Sequence, residues 1–205
     1  MDEQETISCT AFKGNRCIAS GNLVEVAKKV KETIDHDGEG SVLIFDDLNS
    51  EIIELDFRGT MEDVLKRLEK PTPRSTSTSE PLTTDQSPTR RPGRPRLGVV
   101  SREVTLLPRH WEWLNCQPGG ASVALRKLVE AARRVNRDRD KVRHSQEVTY
   151  RFMSAVAGNL PGFEEATRAL FAKNPERFKD LIDSWPGDIR NHARKLAEAA
   201  FQNRV

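Results

Sequence analysis

Between residues 71 and 97 the chain cannot build a core. Six of its 11 prolines (Pro71, Pro73, Pro81, Pro88, Pro92, Pro95) fall here, beside the run RSTSTSEPLTT. So few apolar side chains cannot offset the entropy of ordering a segment. We therefore expect a disordered linker over 71–96, with a small domain over 1–70 and a second over 97–205. The fold class expected is α+β: a ββαββα head, the linker, then a short strand and a mainly helical domain. A hydrophobic fraction of 36% against 31% charged residues agrees with a chain that is only partly packed.

Charge follows the same division. Residues 1–70 carry 9 basic and 16 acidic side chains, whereas 90–144 carry 14 basic and 5 acidic. The whole sums to only +2. A basic middle in a near-neutral protein asks for an acidic partner, either nucleic acid or this chain's own head. Membrane spans are not expected, because no apolar run approaches the roughly 20 residues one requires. The start, MDEQETISC, has no basic-then-apolar signal region, so a cytoplasmic location is expected. Three scattered cysteines (Cys9, Cys17, Cys116) do not form a disulfide framework.

In the head, Thr6–Phe12 and Cys17–Ala19 read as strands around the turn Lys13-Gly14-Asn15-Arg16. Asn22 reads as a helix cap with Glu25 three residues on, and Leu23, Val26, Ala27, Val30 and Ile34 line one helical face. Val42–Phe45 is an apolar strand. Ile53, Leu55 and Phe57 alternate with acidic residues, which predicts a fourth strand. Thr60 caps a last helix. After the linker, Leu97–Leu107 reads as a strand and Pro108 as the first residue of a helix. Gln117-Pro118-Gly119-Gly120 breaks the chain, and Ser122 caps a helix. No Gly or Pro occurs between Ala121 and Ala157, so this helix either runs on through the charged stretch or breaks and restarts near Ser145. Further helical stripes follow, one of them opened by Asn174-Pro175.

Two segments carry chemistry that suits DNA. Arg90-Arg91-Pro92-Gly93-Arg94-Pro95-Arg96 resembles an AT-hook, a peptide that lies in the minor groove. Gly93 permits close backbone approach and Pro95 stiffens an extended path. Arg94 and Arg96 suit the negative groove of A·T tracts. Pro92 stands where that pattern has arginine, with Arg91 one residue further off. The plainer reading is a solvated basic linker. Downstream, Glu103–Pro108, a short helix, a Gly turn and Ser122–Glu130 resemble a ribbon-helix-helix unit over 97–135. The resemblance implies a homodimer whose paired strands enter the major groove, with helix N–H groups holding a phosphate. It departs at the strand. With Val104 and Leu106 inward, Glu103, Thr105 and Leu107 face out, a poor set for reading bases. The plainer reading is a small helical hairpin with its own core.

The landmarks RPRLGVV (94–100), EVTLLPRHWEW (103–113), QPGGASVAL (117–125) and LPGFEEATRAL (160–170) resemble an uncharacterised bacterial family, a domain of unknown function. The resemblance spans nearly the whole chain and implies no activity.

Enzyme chemistry is not expected. The four histidines (His36, His110, His144, His192) have no metal-ligand spacing, and no cofactor or metal motif is present. Asp46-Asp47 reads as a turn, Cys116 as a thiol without a base, and Glu164-Glu165 as a favourable helix start. A cleft joining Asp46, Asp47 and a histidine would argue the other way. His110, Trp111 and Trp113 suggest base stacking, but helical spacing favours at least one tryptophan facing a core or a dimer partner.

The reading is a DNA-binding protein with a regulatory or architectural role. Arg90, Arg91, Gly93, Arg94, Pro95, Arg96 and Arg102 are the primary contacts. Thr105, Arg126, Lys127, Arg133 and Arg134 are secondary ones. The alternative is a non-enzymatic interaction or oligomerisation module that binds no nucleic acid. A polar, outward strand before Pro108 favours the first, and a strand buried by the tail favours the second.

Overall fold

The structure, a computed structural model, describes residues 8–38, 40–69, 100 and 102–202. The α+β class holds: three strands and seven α-helices lie among these residues. By contacts the chain forms two units. One joins residues 1–72 with 135–205; the other is 73–134.

The first unit opens with β1 (Ser8–Lys13) and β2 (Arg16–Asn22), the antiparallel hairpin expected around Gly14-Asn15. Gly14 supplies the left-handed conformation the turn needs, at φ 55°. Next come α1 (Leu23–Asp37) and β3 (Val42–Asp46), which pairs antiparallel with β1 to give the order β2-β1-β3. Asn22 caps α1 as expected, its side chain accepting from the Glu25 N–H at 2.9 Å.

β1 is central and covered on both faces, so four consecutive residues, Cys9 to Phe12, are buried. Its two faces serve two clusters. Cys9 and Ala11 pack with Val26 and Val30 of α1 and with Ile44. Phe12 and Phe45 point the other way, into a cluster with Phe152, Leu170, Phe178, Ile182 and Ile189. The Phe12, Phe45 and Phe152 rings meet at centroid distances of 5.2–6.2 Å.

The fourth strand expected at Ile53–Phe57 is not formed. Only a single bridge, Phe45 to Ile52, extends the sheet, with the Ile53 N–H donating to the Ile44 carbonyl at 2.8 Å. Ile53, Leu55 and Phe57 still turn inward against the α1 cluster. Their alternation reports which side chains are buried, not whether the backbone stays in a ladder. α2 (Met61–Glu69) then starts at Thr60, which exchanges hydrogen bonds with Asp63.

The rest of this unit is helical: α5 (Phe163–Phe171), α6 (Pro175–Ile182), α7 (Gly187–Ala197) and a 3-10 turn at Glu198–Ala200. Asn174 caps α6 ahead of Pro175, as the sequence predicts. Trp185 is buried and its Nε1–H donates to the Pro161 carbonyl at 2.8 Å.

Within 73–134, residues 102–107 form no strand, contrary to the expectation for Leu97–Leu107; residues 97–99 and 101 lie outside those described. A ribbon strand pairs with the same strand of a second copy, so in a single chain these residues have no ladder to join. α3 (Pro108–Asn115) begins at its proline as expected, and a turn leads into α4 (Gly120–Val156). At Gly119, φ is 86° and an added Cβ would stand 3.2 Å from the Val123 side chain, so both backbone and space demand glycine. α4 is one uninterrupted helix of 37 residues, which settles the continuity the sequence leaves open. It starts two residues before Ser122. That residue therefore lies in the first turn, where its carbonyl accepts from Arg126 Nε at 3.1 Å.

Candidate nucleic-acid interface

The continuity of α4 fixes the phase of its charged residues. At about 100° per residue, Arg126, Lys127, Arg133 and Arg134 fall within an arc of roughly 120°. All four are exposed. Glu130 lies inside the arc and pairs with Arg133, its Oε1 3.2 Å from Nη1. The helix carries Arg137 and Lys141 onward in the same phase, both exposed. Neither was singled out from sequence. Their signal is the phase itself, which cannot be followed past Arg134 while the helix has the option of breaking there. From Arg126 to Arg134 the face measures about 12 Å at 1.5 Å per residue.

The remaining DNA candidates are placed differently. Arg102 and Thr105 are exposed on the irregular segment before α3. Arg90, Arg91, Gly93, Arg94, Pro95 and Arg96 lie outside the described residues. On α3, Trp111 and Trp113 are both exposed and His110 with them; Leu114 takes the inward position instead. Of the two burial sites expected for a tryptophan here, the core of its own chain is filled by Leu114, three residues after Trp111.

The acidic turn between β3 and residue 52 is a structural device. Asp46 Oδ1 accepts from the Leu48 N–H at 2.8 Å. Asp47 accepts from the Ser8 and Thr10 hydroxyls, each at 2.7 Å. Two side chains of α4 close over the turn: His144 Nε2 lies 3.0 Å from the Leu48 carbonyl, and Arg151 donates to the Asn49 carbonyl. A histidine does reach this turn, but through a backbone oxygen, with both carboxylates already occupied. No group of three or more His, Cys, Asp or Glu suited to a metal ion occurs among the described residues.

His192 of α7 packs between aromatic rings, 4.5 Å from Phe152 and 5.4 Å from Phe12 by centroids. Burial pushes its pKa down, against the pull of Asp47. Cys9 is buried, and burial with the charges of Asp47 and Asp46 raises its thiol to about 11. Cys17 is also raised, by burial first and then by Asp188, whose carboxylate accepts from the Cys17 N–H at 2.9 Å. These thiols are held away from the thiolate form that nucleophilic chemistry needs. Glu164 and Glu165 open α5 as expected, and Glu165 also holds Arg168 and Arg177.

In class, then, this is an α+β protein with a three-stranded sheet and a long helix bearing an exposed basic face. A sequence profile described as "uncharacterized protein conserved in bacteria (DUF2239)" matches residues 8–197, and the chain belongs to that family. No curated protein and no solved structure gave a significant match. None of the helices among the described residues is long and apolar enough to cross a membrane.

Proposed function

We propose that this chain binds DNA, with a regulatory or architectural role, and that the basic face of α4 is its main described contact. The observation that carries this reading is the exposed arc of Arg126, Lys127, Arg133 and Arg134 on one uninterrupted helix. Arginine and lysine spaced along one face neutralise successive phosphates and release their counterions. Arg102 and Thr105 would add contacts ahead of α3. The AT-hook-like arginines, Arg90, Arg91, Arg94 and Arg96, would add A·T preference through the minor groove. Within the single chain, α4 bears the weight of the proposal. The role is non-enzymatic and uses no cofactor.

The second reading is an interaction module without nucleic acid, with the acidic head as one candidate ligand of the basic middle. Exposed Trp111 and Trp113 favour it, since exposed aromatic side chains are frequent anchors of protein interfaces.

Fluorescence anisotropy with labelled A·T-rich and G·C-rich duplexes separates the two. Arg133→Ala with Arg134→Ala should weaken binding to both duplexes alike and reduce the salt slope by about 2, roughly one per lost phosphate contact. Arg91→Ala, Arg94→Ala and Arg96→Ala together should remove the A·T preference. No binding at low salt by the intact chain would sink the DNA reading and leave the interaction module.

A further inference from the structure

The side of α4 opposite its arginines carries a seam. Leu125, Leu128, Val135, Val142, Gln146, Thr149, Met153 and Val156 fit one register of alternating three- and four-residue steps, the heptad spacing of helices that pack along their length. The C-terminal half of this seam is used inside the chain: Gln146, Thr149 and Met153 are buried, and Val142 and Val156 half-buried. In the N-terminal half only Leu125 is half-buried. Leu128 is 48% exposed, Val129 beside it 55% and Val135 80%. Yet the register does not change between the halves.

We propose that a second copy of this chain covers the N-terminal half of the seam. Three observations select that occupant. First, among the described residues of 73–134 only Leu114 and Ala124 are buried hydrophobics, too few to hold a helical hairpin without further burial. Second, the sequence of residues 70–99 has only Leu82, Leu97 and Val99 as large apolar side chains, little apolar surface to set against a seam. The sequence that does repeat with the matching spacing is α4 itself. Third, the charges permit self-association. Ala124, Val129 and Ala131 flank the seam without charge, and the arginine arc points to the far side of the helix. Arg139 occupies a seam position and ends the pairing, which is thus confined to about 20 Å of helix. Pairing there would leave two basic faces directed outward, one from each copy.

Sedimentation equilibrium of the full chain, without DNA, tests this. The mass should rise with concentration from 23.2 kDa toward twice that value. Val135→Glu changes an exposed position, so its circular dichroism and melting temperature should match the parent while its mass stays at 23.2 kDa. Leu128→Glu should weaken the dimer by roughly tenfold or more. A parent chain that stays monomeric at high micromolar concentration overturns the proposal. So does a dimer that survives both substitutions. Because the arginines are intact in these variants, their DNA binding is measured separately, and failure of one idea leaves the other standing.

Discussion

His192 shows how a half-buried titratable group can set a pH limit on the fold. Its ring sits against Phe12 and Phe152, and its Nε2 has no hydrogen-bond partner among the described residues. The pKa in the fold lies below the ordinary 6.5 because burial disfavours the imidazolium. As pH falls, the unfolded chain therefore takes up the proton first, and linkage works against the fold. Stability is complete above 6.5 and declines as pH drops from there toward the folded value. His192→Phe should flatten the change in urea midpoint between about pH 7 and about pH 5. An unchanged dependence would assign the acid sensitivity to other groups. The thiols differ just as clearly. Exposed Cys116 should react with an alkylating reagent well before buried Cys9, as mass spectrometry of timed samples would show. Little of this is legible in sequence. Four scattered histidines look alike until α7 carries one of them to the phenylalanines of β1 and α4.

Element boundaries were legible where local chemistry marks them and illegible where a distant partner decides. The Asn22 and Asn174 caps could be read because the capping side chain and its N–H target lie three residues apart. Asn22→Ala should cost about 1 kcal/mol, measurable by denaturant titration. The strand expected at 53–57 and the one expected at 97–107 both rested on apolar pattern. A ladder also needs a neighbouring edge, which pattern does not supply. α4 shows the converse. Its middle is rich in charge and looks like a place to break, but the stretch contains no residue that forces an end. Once continuous, it puts Gln146 where its amide donates to the Leu170 carbonyl at 3.0 Å, at the end of α5. Gln146→Ala should cost about 1 kcal/mol, since the Leu170 carbonyl loses the amide but keeps the Lys173 N–H at 3.2 Å. A smaller effect in urea titration would mean that water reaches that carbonyl.

At the scale of the molecule, the sequence suggests a head and a tail separated by a linker, and the contacts group residues 1–72 with 135–205. Residues 1–72 share a core with 135–205, joined by Phe12, Phe45 and Phe152. Nothing local announces this. The apolar stripes of head and tail each look self-sufficient, and which stripe meets which is a property of the whole fold. The basic block survived as a feature because charge needs no partner to be seen in sequence. Phe152→Ala should cost about 3–5 kcal/mol by opening the aromatic cluster. Because that cluster is shared, circular dichroism and the fluorescence of Trp185, read in a chain carrying Trp111→Phe and Trp113→Phe, should report one coincident transition. Separate transitions for sheet and helices would mean the two parts fold alone. The shared core also bears on how the protein is made. On the ribosome the sheet emerges first, with one face closed by α1 and the other awaiting Phe152, which follows Phe45 by roughly a hundred residues. At about 5–20 residues per second, that face stays open for several seconds or longer during synthesis. Until α4 arrives, a nascent chain of this protein holds Phe12 and Phe45 without the Phe152 ring that covers them in the fold.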